Sequence, residues 1–395
     1  MRILQIVPSI SLIYGGPSQM VLGLAPALAK QDVKVTILTT DSNGDNGQKP
    51  LDVPLNQVIE KDGYEIIYFR CSPFRRYKFS IDLLKWLKQN AKSYDIAHIH
   101  ALFSPISSFA AATCRQQKLP YILRPLGTLD PADLHKKRQL KQFYVNVLER
   151  RNIAGAAAIH FTSEQEAKVS HRFGVTTRDL VLPLGVKQLE QQVNGKNNQI
   201  LSKYDIPSDI PLLLFMSRID PKKGLDILIP TLEKLISEGL KFHFVLAGTN
   251  PQDPLYEEKI RLQIQNSSLK SRTTITGFVT GELKSALLEA ADLFVLPSYY
   301  ENFGIAVAEA MVAGKPVVIS DQVHICEQVR SSESGWVGTT DVESMINLLR
   351  EALKNPEECK YRGSRAREYA LQNYSWDAIA RQIIDAYEGI ITHTV

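Results

Sequence analysis

The stretch LFVLPSYYENFGIAVAEAMVAGKPVVISD, residues 293–321, sets two short apolar runs on either side of a small-residue segment. LFVLPS (293–298) and PVVISD (316–321) are apolar at nearly every position, as strands buried on both faces are. GIAVAEAMVAG between them is long enough for a helix, so the stretch reads as strand, crossover helix and parallel strand. Two carboxylates, Glu301 and Glu309, stand eight positions apart in it. On one helix they would lie about 80° apart around the axis and about 12 Å along it, too far to share a reacting atom. Glu301 is therefore placed in the loop YYEN, and the helix is expected to start between Asn302, a competent N-cap, and Gly304. Glu309 then sits about 7 Å into that helix.

Working outward, the same alternation fills the chain. Apolar runs at 2–7, 33–40, 65–71, 95–101, 121–126, 156–163 and 180–186 are separated by helical stretches. After them comes the polar segment KQLEQQVNGKNNQ (187–199), which reads as a linker. The pattern restarts at 211–217, 241–248 and 273–279, before the two runs already described. The expected fold class is α/β: two Rossmann-like, doubly wound parallel-sheet domains, 1–187 and 188–375, facing a central cleft at the carboxyl ends of their strands. A last segment, 376–395, carries Ile379, Ile383, Ile384, Tyr387 and Ile391 at helical spacing and is expected to cross back onto the first domain.

Composition narrows the class. The chain of 395 residues has 44% hydrophobic and 22% charged residues, as ordinary globular proteins do. Cys71, Cys114, Cys326 and Cys359 are far apart and read as reduced packing residues, with no zinc site or disulfide framework. The start MRILQIVPSI is too short in its apolar part for a signal peptide, and no run is long enough to span a bilayer. A cytoplasmic protein is expected, peripheral at the inner face of the plasma membrane if it serves one. Residues 1–190 hold 25 Lys+Arg against 16 Asp+Glu, while the remainder holds 21 against 26. The basic first half fits either a merely different solvated surface or a phosphate-bearing or membrane-borne partner.

The strand-to-helix loops carry the chemistry. SRIDPKKGLDIL (217–228) offers Arg218, Lys222 and Lys223 beside the free N–H groups of a helix opening at Gly224, which suits two linked phosphates. A carboxylate accepts from two neighbouring hydroxyls, so Glu309 can hold a ribose diol and Glu301 a hydroxyl pair on a hexose. Against this stand a capping role for Glu301 and a solvated face for Glu309. Apolar neighbours leave Glu309 little such face, and a buried, unpaired carboxylate calls for a ligand or partner.

These segments, with LAG (246–248), GFV (277–279) and the N-terminal PSISLIYGGPSQMVLGLAPALAKQDVKVTILTT, resemble the family 4 retaining glycosyltransferases of the GT-B fold. The resemblance also points towards cyanobacterial envelope or exopolysaccharide transferases. It implies a nucleotide-diphospho-sugar donor, of which a UDP-sugar is favoured, with Arg218, Lys223 and Glu301 as the catalytic set. Arg218 and Lys223 would neutralise the diphosphate, Glu309 would bind the ribose and Glu301 the transferred sugar. Asn302, Phe303, Gly304 and Ile305 would present their backbone to sugar and phosphate. Gly248 would line the pocket, the main chain at Val279 would meet the base, and Gly16 would border the donor phosphate. No D-x-D pair occurs, so neither metal nor other cofactor is called for, and a leaving diphosphate would be stabilised by cations and a helix N-terminus.

The first half departs from the family at one point. Many members have a histidine before the glycine that follows the fifth strand, whereas RPLGTLDP places Leu126 before Gly127. In the family that histidine lies near the reacting sugar; its role passes to backbone groups or to Arg124, Asp130 or His135, with Arg124 and Asp130 as acceptor candidates, although Asp130 also reads as an Asp-Pro helix start. Gly15, beside Gly16, borders the acceptor by resemblance, though tight turns use glycine anyway. His98 and His100 point the same way from one strand, either towards an acceptor or into polar packing. Finally, LHKKRQLKQFYVNVLERRN (134–152) holds six Lys/Arg and one Glu, with Leu140, Phe143, Tyr144, Val147 and Leu148 at helical spacing. Such a helix either lies on an anionic leaflet or buries its stripe in its own core.

The resulting expectation is a metal-independent, retaining hexosyltransferase acting on a growing polysaccharide or lipid-linked glycan, with no nucleic-acid partner. A sugar-nucleotide epimerase or hydrolase of the same fold and a non-catalytic nucleotide-sugar-binding partner are the alternatives. No G-x-G-x-x-G follows a strand and no G-x-x-x-x-G-K-[ST] occurs, which argues against a dinucleotide oxidoreductase and an NTPase.

Overall fold

Each apolar run forms a strand in the computed structural model, which describes residues 1–44, 48–72, 78–134, 138–188 and 196–394. The chain divides into two units, Met1–Gly185 with Trp376–Val395, and Val186–Ser375. In the first unit the strands are β1 (Arg2–Ile6), β2 (Lys34–Thr40), β3 (Val58–Lys61), β4 (Tyr64–Phe69), β5 (Ile96–His100), β6 (Tyr121–Arg124), β7 (Ala158–Phe161) and β8 (Asp179–Val181). They lie in the order β3-β4-β2-β1-β5-β6-β7-β8. In the second unit they are β9 (Leu212–Met216), β10 (His243–Ala247), β11 (Thr273–Gly277), β12 (Leu293–Leu296), β13 (Val317–Ser320) and β14 (Gly335–Gly338), ordered β11-β10-β9-β12-β13-β14.

Two strands escape the sequence reading. β3 pairs antiparallel with β4 through Lys61 and Tyr64. Its turn is Asp62-Gly63, both with positive φ, so the Asp-Gly dipeptide was the available signal. β14 has glycine at both ends and only Trp336 and Val337 as large apolar residues, too few to read as a run. The segment read as a linker is also partly helical, since a helix spans Lys196–Ser202.

The first sheet has unlike faces. Ala97, Ile99, Tyr121, Leu123, Ile159 and Phe161 join an apolar core with helices Ile81–Asn90 and Pro105–Gln116. The other face carries a buried polar seam of Gln5, His98, His100, Arg124 and His160. The C-terminal helix, Trp376–Thr394, closes this seam. Its Tyr387 hydroxyl accepts from Gln5 Nε2 at 3.0 Å and lies 2.8 Å from His98 Nδ1. His98 Nε2 lies 3.2 Å from His160 Nδ1, and His100 Nε2 lies 2.6 Å from Gln5 Oε1. The same helix starts with Trp376, whose ring occupies a slot made by Gly23 and Gly185. A Cβ at either glycine would stand within 2.3 Å of the indole.

Burial, the like-charged neighbours and Arg124 hold His98 and His100 well below their ordinary value of 6.5, and burial takes His160 down to about 3. All three are neutral in the folded state at pH 7. Below pH 6.5 the unfolded chain takes up protons that the folded chain refuses, so stability is lost as pH falls through that value. Between pH 7 and pH 5.5 the three sites together remove about 3–4 kcal/mol. Urea unfolding across that interval is expected to show the loss, and a flat profile would mean that all three rings take up protons inside the fold as readily as in the unfolded chain.

Candidate functional site

In each unit the strand order reverses once, and the loops on either side of the reversal diverge to leave a crevice at the carboxyl ends. In the second unit the reversal lies between β9 and β12, with the loop carrying Lys223 on one side and that carrying Glu301 on the other. Lys223 Nζ forms an ion pair with Glu301 Oε2, and both side chains are largely buried.

Backbone contacts stitch the surrounding loops together. Tyr299 N donates to Lys222 O at 2.8 Å, tying the β12 loop to the β9 loop. Glu301 N donates to Gln322 O at 3.1 Å, and His324 N donates to Glu301 O at 3.0 Å, tying it to the β13 loop. Tyr299 also donates its hydroxyl to Asp226 at 2.9 Å. Gly224 has φ +71, and a Cβ there would lie 2.0 Å from Pro297 O. At Gly248 a Cβ would lie 1.9 Å from Ser217 O, so the ends of β9, β10 and β12 close on one another without room for side chains.

The helix after β12 spans Ile305–Val312. Gly304, at φ +83, occupies its N-cap, at the later end of the expected range, and Asn302 lies outside the helix. A left-handed residue is needed to turn the chain into this helix, and glycine takes that conformation without strain. The N–H groups of the first turn are left without intrahelical acceptors, as at any helix start. Phe303 is buried and meets Tyr374 edge-on with ring centroids 5.3 Å apart, which anchors the loop from below.

Glu309 is also corrected. It is not an unpaired buried carboxylate, because Lys284 Nζ from helix Gly281–Ala290 lies 2.5 Å from its Oε1. Burial alone therefore does not call for a ligand there. Arg218 is half exposed and reaches Gln252 Oε1 at 3.2 Å and Asp220 Oδ2 at 3.9 Å, rather than the Lys223–Glu301 pair. Val279 is buried after β11, beside the exposed ring of Phe278.

In the first unit the reversal lies between β1 and β5. A pocket of about 330 Å³ opens there, lined by Ser9, Tyr14, Lys78, Phe103 and Leu126 among others. Gly15, at φ +70, leads into helix Gly16–Ala29 beside it. Ala101, Phe103 and Leu126 all line the pocket and all have positive φ, at 71°, 59° and 58°. Non-glycine residues held in that conformation store strain, and such strain clusters at ligand sites.

The polar candidates of this unit lie beneath the strand ends. His98 and His100 are 1% and 0% exposed, which assigns them to the polar seam and corrects the acceptor reading. Arg124 is buried, and burial lowers its pKa to about 10. Among the described residues its Nε and Nη1 have no partner. Asp130 is buried at the start of the short helix Pro131–Leu134, where the Asp-Pro reading puts it. His135 lies outside the described residues.

From Arg138 onward the basic stretch is helical, with a π-turn at Val145–Glu149. Tyr144 donates to Ser108 Oγ at 2.9 Å, and Glu149 accepts from Ser108 Oγ at 2.6 Å, so part of the stripe faces the protein's own core. Phe143 and Val147 are exposed at 67% and 49%, which keeps the outward part apolar.

Sequence reasoning missed Glu166 and Lys284. Glu166 accepts from Gly127 N at 3.1 Å and Thr162 N at 2.7 Å, fixing the loop after β6. A local signal was available, the Ser163-x-x-Glu166 spacing of a capping box, in which Ser163 Oγ accepts from Glu166 N at 3.0 Å. Lys284 had a faint signal, a cation in the first turn of a helix, where the macrodipole disfavours it.

Gly224→Ala is expected to lose about 1–3 kcal/mol of stability through strain and collision. Gly239→Ala is the control, because φ is +83 there but a Cβ meets nothing within 4 Å. Equal urea midpoints for the two variants would remove the close approach at Pro297.

Comparison with known proteins covers both units. Residues 196–369 match the model described as Glycosyl transferases group 1, and residues 15–185 match the Glycosyl transferase 4-like domain. The uncharacterized glycosyltransferase MJ1607 of Methanocaldococcus jannaschii is 30% identical over 184 residues, 46% of each chain, so the match spans about half of that relative. N,N'-diacetylbacillosaminyl-diphospho-undecaprenol alpha-1,3-N-acetylgalactosaminyltransferase of Campylobacter jejuni is 24% identical over 92% of this chain and 93% of its own. The fold is that of Anabaena Alr3699/HepE in complex with UDP and glucose, at TM-score 0.75 and 19% identity, with 98% of this chain and 100% of that one covered.

Proposed function

The chain belongs to the family 4 type of glycosyltransferase, GT-B in fold, and from that premise we propose that it transfers a hexose from a UDP-sugar, with retention and without a metal ion. The observation that carries the reading is the Lys223–Glu301 pair, set where the strand order reverses and beside the N-terminus of helix Ile305–Val312. A cation, a carboxylate and the N–H groups of a helix start lie together there, which supports a sugar diphosphate as the ligand.

In this mechanism the donor diphosphate takes Lys223, Arg218 and the N–H groups of Gly304 and Ile305, and Glu301 turns to the hexose hydroxyls. Gly248 and the main chain at Val279 border the donor, and Glu309 holds the ribose. The acceptor oxygen forms its bond to the anomeric carbon on the face from which the diphosphate leaves. As the bond from that carbon to the phosphate oxygen breaks, the acceptor proton passes to that oxygen. Configuration is kept, and UDP departs. Lys223 and Arg218 stabilise the charge that develops on the leaving group, so positioning and electrostatics supply most of the rate.

The acceptor is a growing polysaccharide or a lipid-linked glycan, entering by the pocket of the first unit near Gly15. Calorimetry with UDP, GDP and ADP in EDTA is expected to give saturable binding of UDP alone, and no binding of UDP would overturn the donor assignment. Lys223→Ala is expected to lower turnover about 100-fold while changing donor affinity much less. A product of inverted configuration, read by the anomeric proton coupling, would remove the retaining mechanism.

Among the described residues no helix is long and apolar enough to cross a membrane. The proposed location is cytoplasmic, with Phe143 and Val147 resting on an anionic leaflet, where Lys141, Arg150 and Arg151 add attraction. Flotation with phosphatidylglycerol vesicles at low salt is expected to carry the protein, and Phe143→Glu with Val147→Glu is expected to abolish it. A wild-type protein that stays at the bottom of the gradient would end this part of the proposal.

A further inference from the structure

Lys284 and Glu309 each stand at the end of a helix where the backbone opposes their charge. Lys284 is in the first turn of helix Gly281–Ala290, at the positive end of its dipole. Glu309 is in the last turn of helix Ile305–Val312, at the negative end. Neither helix gains from carrying that charge there. The pair meets at 2.5 Å with the side chains 29% and 16% exposed, so each charge answers the other instead of its own helix.

Only Oε1 of Glu309 is taken up by Lys284. Among the described residues Oε2 has no partner, and it is left for an incoming hydroxyl. Lys284 also lies on the connection that follows β11, five residues beyond Val279, so the strip expected to meet the base and the lysine belong to one loop-to-helix junction. A carboxylate free to rotate gives up part of the second hydrogen bond's worth to the entropy of fixing its orientation. A carboxylate pinned through one oxygen presents the other at a fixed angle and can tell a vicinal diol from a single hydroxyl.

We infer that Lys284 is a positioning residue that fixes the Glu309 carboxylate so that the site selects ribonucleotides over 2′-deoxyribonucleotides. The inference rests on the reading of Glu309 as the ribose-binding group. Lys284 stays on Oε1 when the nucleotide binds and does not touch the sugar.

The experiment is calorimetry with UDP and 2′-deoxy-UDP on the full chain, as wild type, Lys284→Met, Lys284→Arg and Glu309→Gln. Wild type is expected to prefer UDP by at least about tenfold, the worth of one charge-assisted hydrogen bond. Lys284→Met is expected to bring that preference to about threefold or less with the affinity for 2′-deoxy-UDP unchanged, and Lys284→Arg to restore it. A Lys284→Met protein that keeps the wild-type preference, or loses affinity equally for both nucleotides, overturns the inference and leaves the role of Glu309 standing. If wild type itself shows no preference, or Glu309→Gln retains it, the ribose reading fails and the inference with it.

Discussion

There is no room for a Cβ at Gly224 or Gly248, and the second unit is arranged around that fact. A side chain at Gly224 would enter the carbonyl of Pro297, and one at Gly248 the carbonyl of Ser217. The ends of β9, β10 and β12 are thereby drawn together, and the loops that leave them have to turn outward. Lys223 and Glu301 meet because they sit on two of those loops at the place where the sheet changes direction. The hydrogen bonds from Tyr299 to Lys222 and between Glu301 and the β13 loop then hold the pair in a fixed frame. Charge at this site is thus a product of backbone packing more than of side-chain reach.

The two units use polar groups in opposite ways. In the second, charged side chains meet in partly exposed ion pairs, Lys223 with Glu301 and Lys284 with Glu309. In the first, Gln5, three histidines and Tyr387 form a sealed chain of hydrogen bonds under the sheet, and desolvation keeps the histidines neutral. Such a network gives little net stability, but its strict geometry rejects other ways of docking the C-terminal helix. The satisfaction is not complete among the described residues: His100 Nδ1 within the seam, and Nε and Nη1 of Arg124 buried beside it, have no partner.

Much of the fold was legible because doubly wound sheets write continuous apolar runs, and those at 2–7 and 211–217 lie on β1 and β9. β3 was not, since an edge strand faces solvent and VIEK carries charges; only its Asp-Gly turn marked it. At the candidate site the loop position of Glu301 and the helical position of Glu309 followed from spacing alone. Pairing did not. Lys284 lies 25 residues from Glu309 and Lys223 lies 78 from Glu301, so no local pattern encodes either contact. The histidines misled for a related reason: alternation on a strand tells which residues share a face, but not whether that face is covered. What covers it here is a helix nearly 300 residues further along the chain, joined by the Tyr387–His98 contact.

That helix has a consequence for how the protein is made. Trp376 fills the slot between Gly23 and Gly185, and Tyr387 completes the seam, yet both follow the whole second unit in the chain. During synthesis the first sheet emerges early with a hydrogen-bonding seam and a tryptophan-sized groove both open. The second unit is contiguous and can reach its native contacts while the first still waits. The usual order of amino-terminal domain first is therefore reversed at the last step, and a ribosome-bound chain passes through a stage in which the amino-terminal half is exposed to chaperones or to unwanted association.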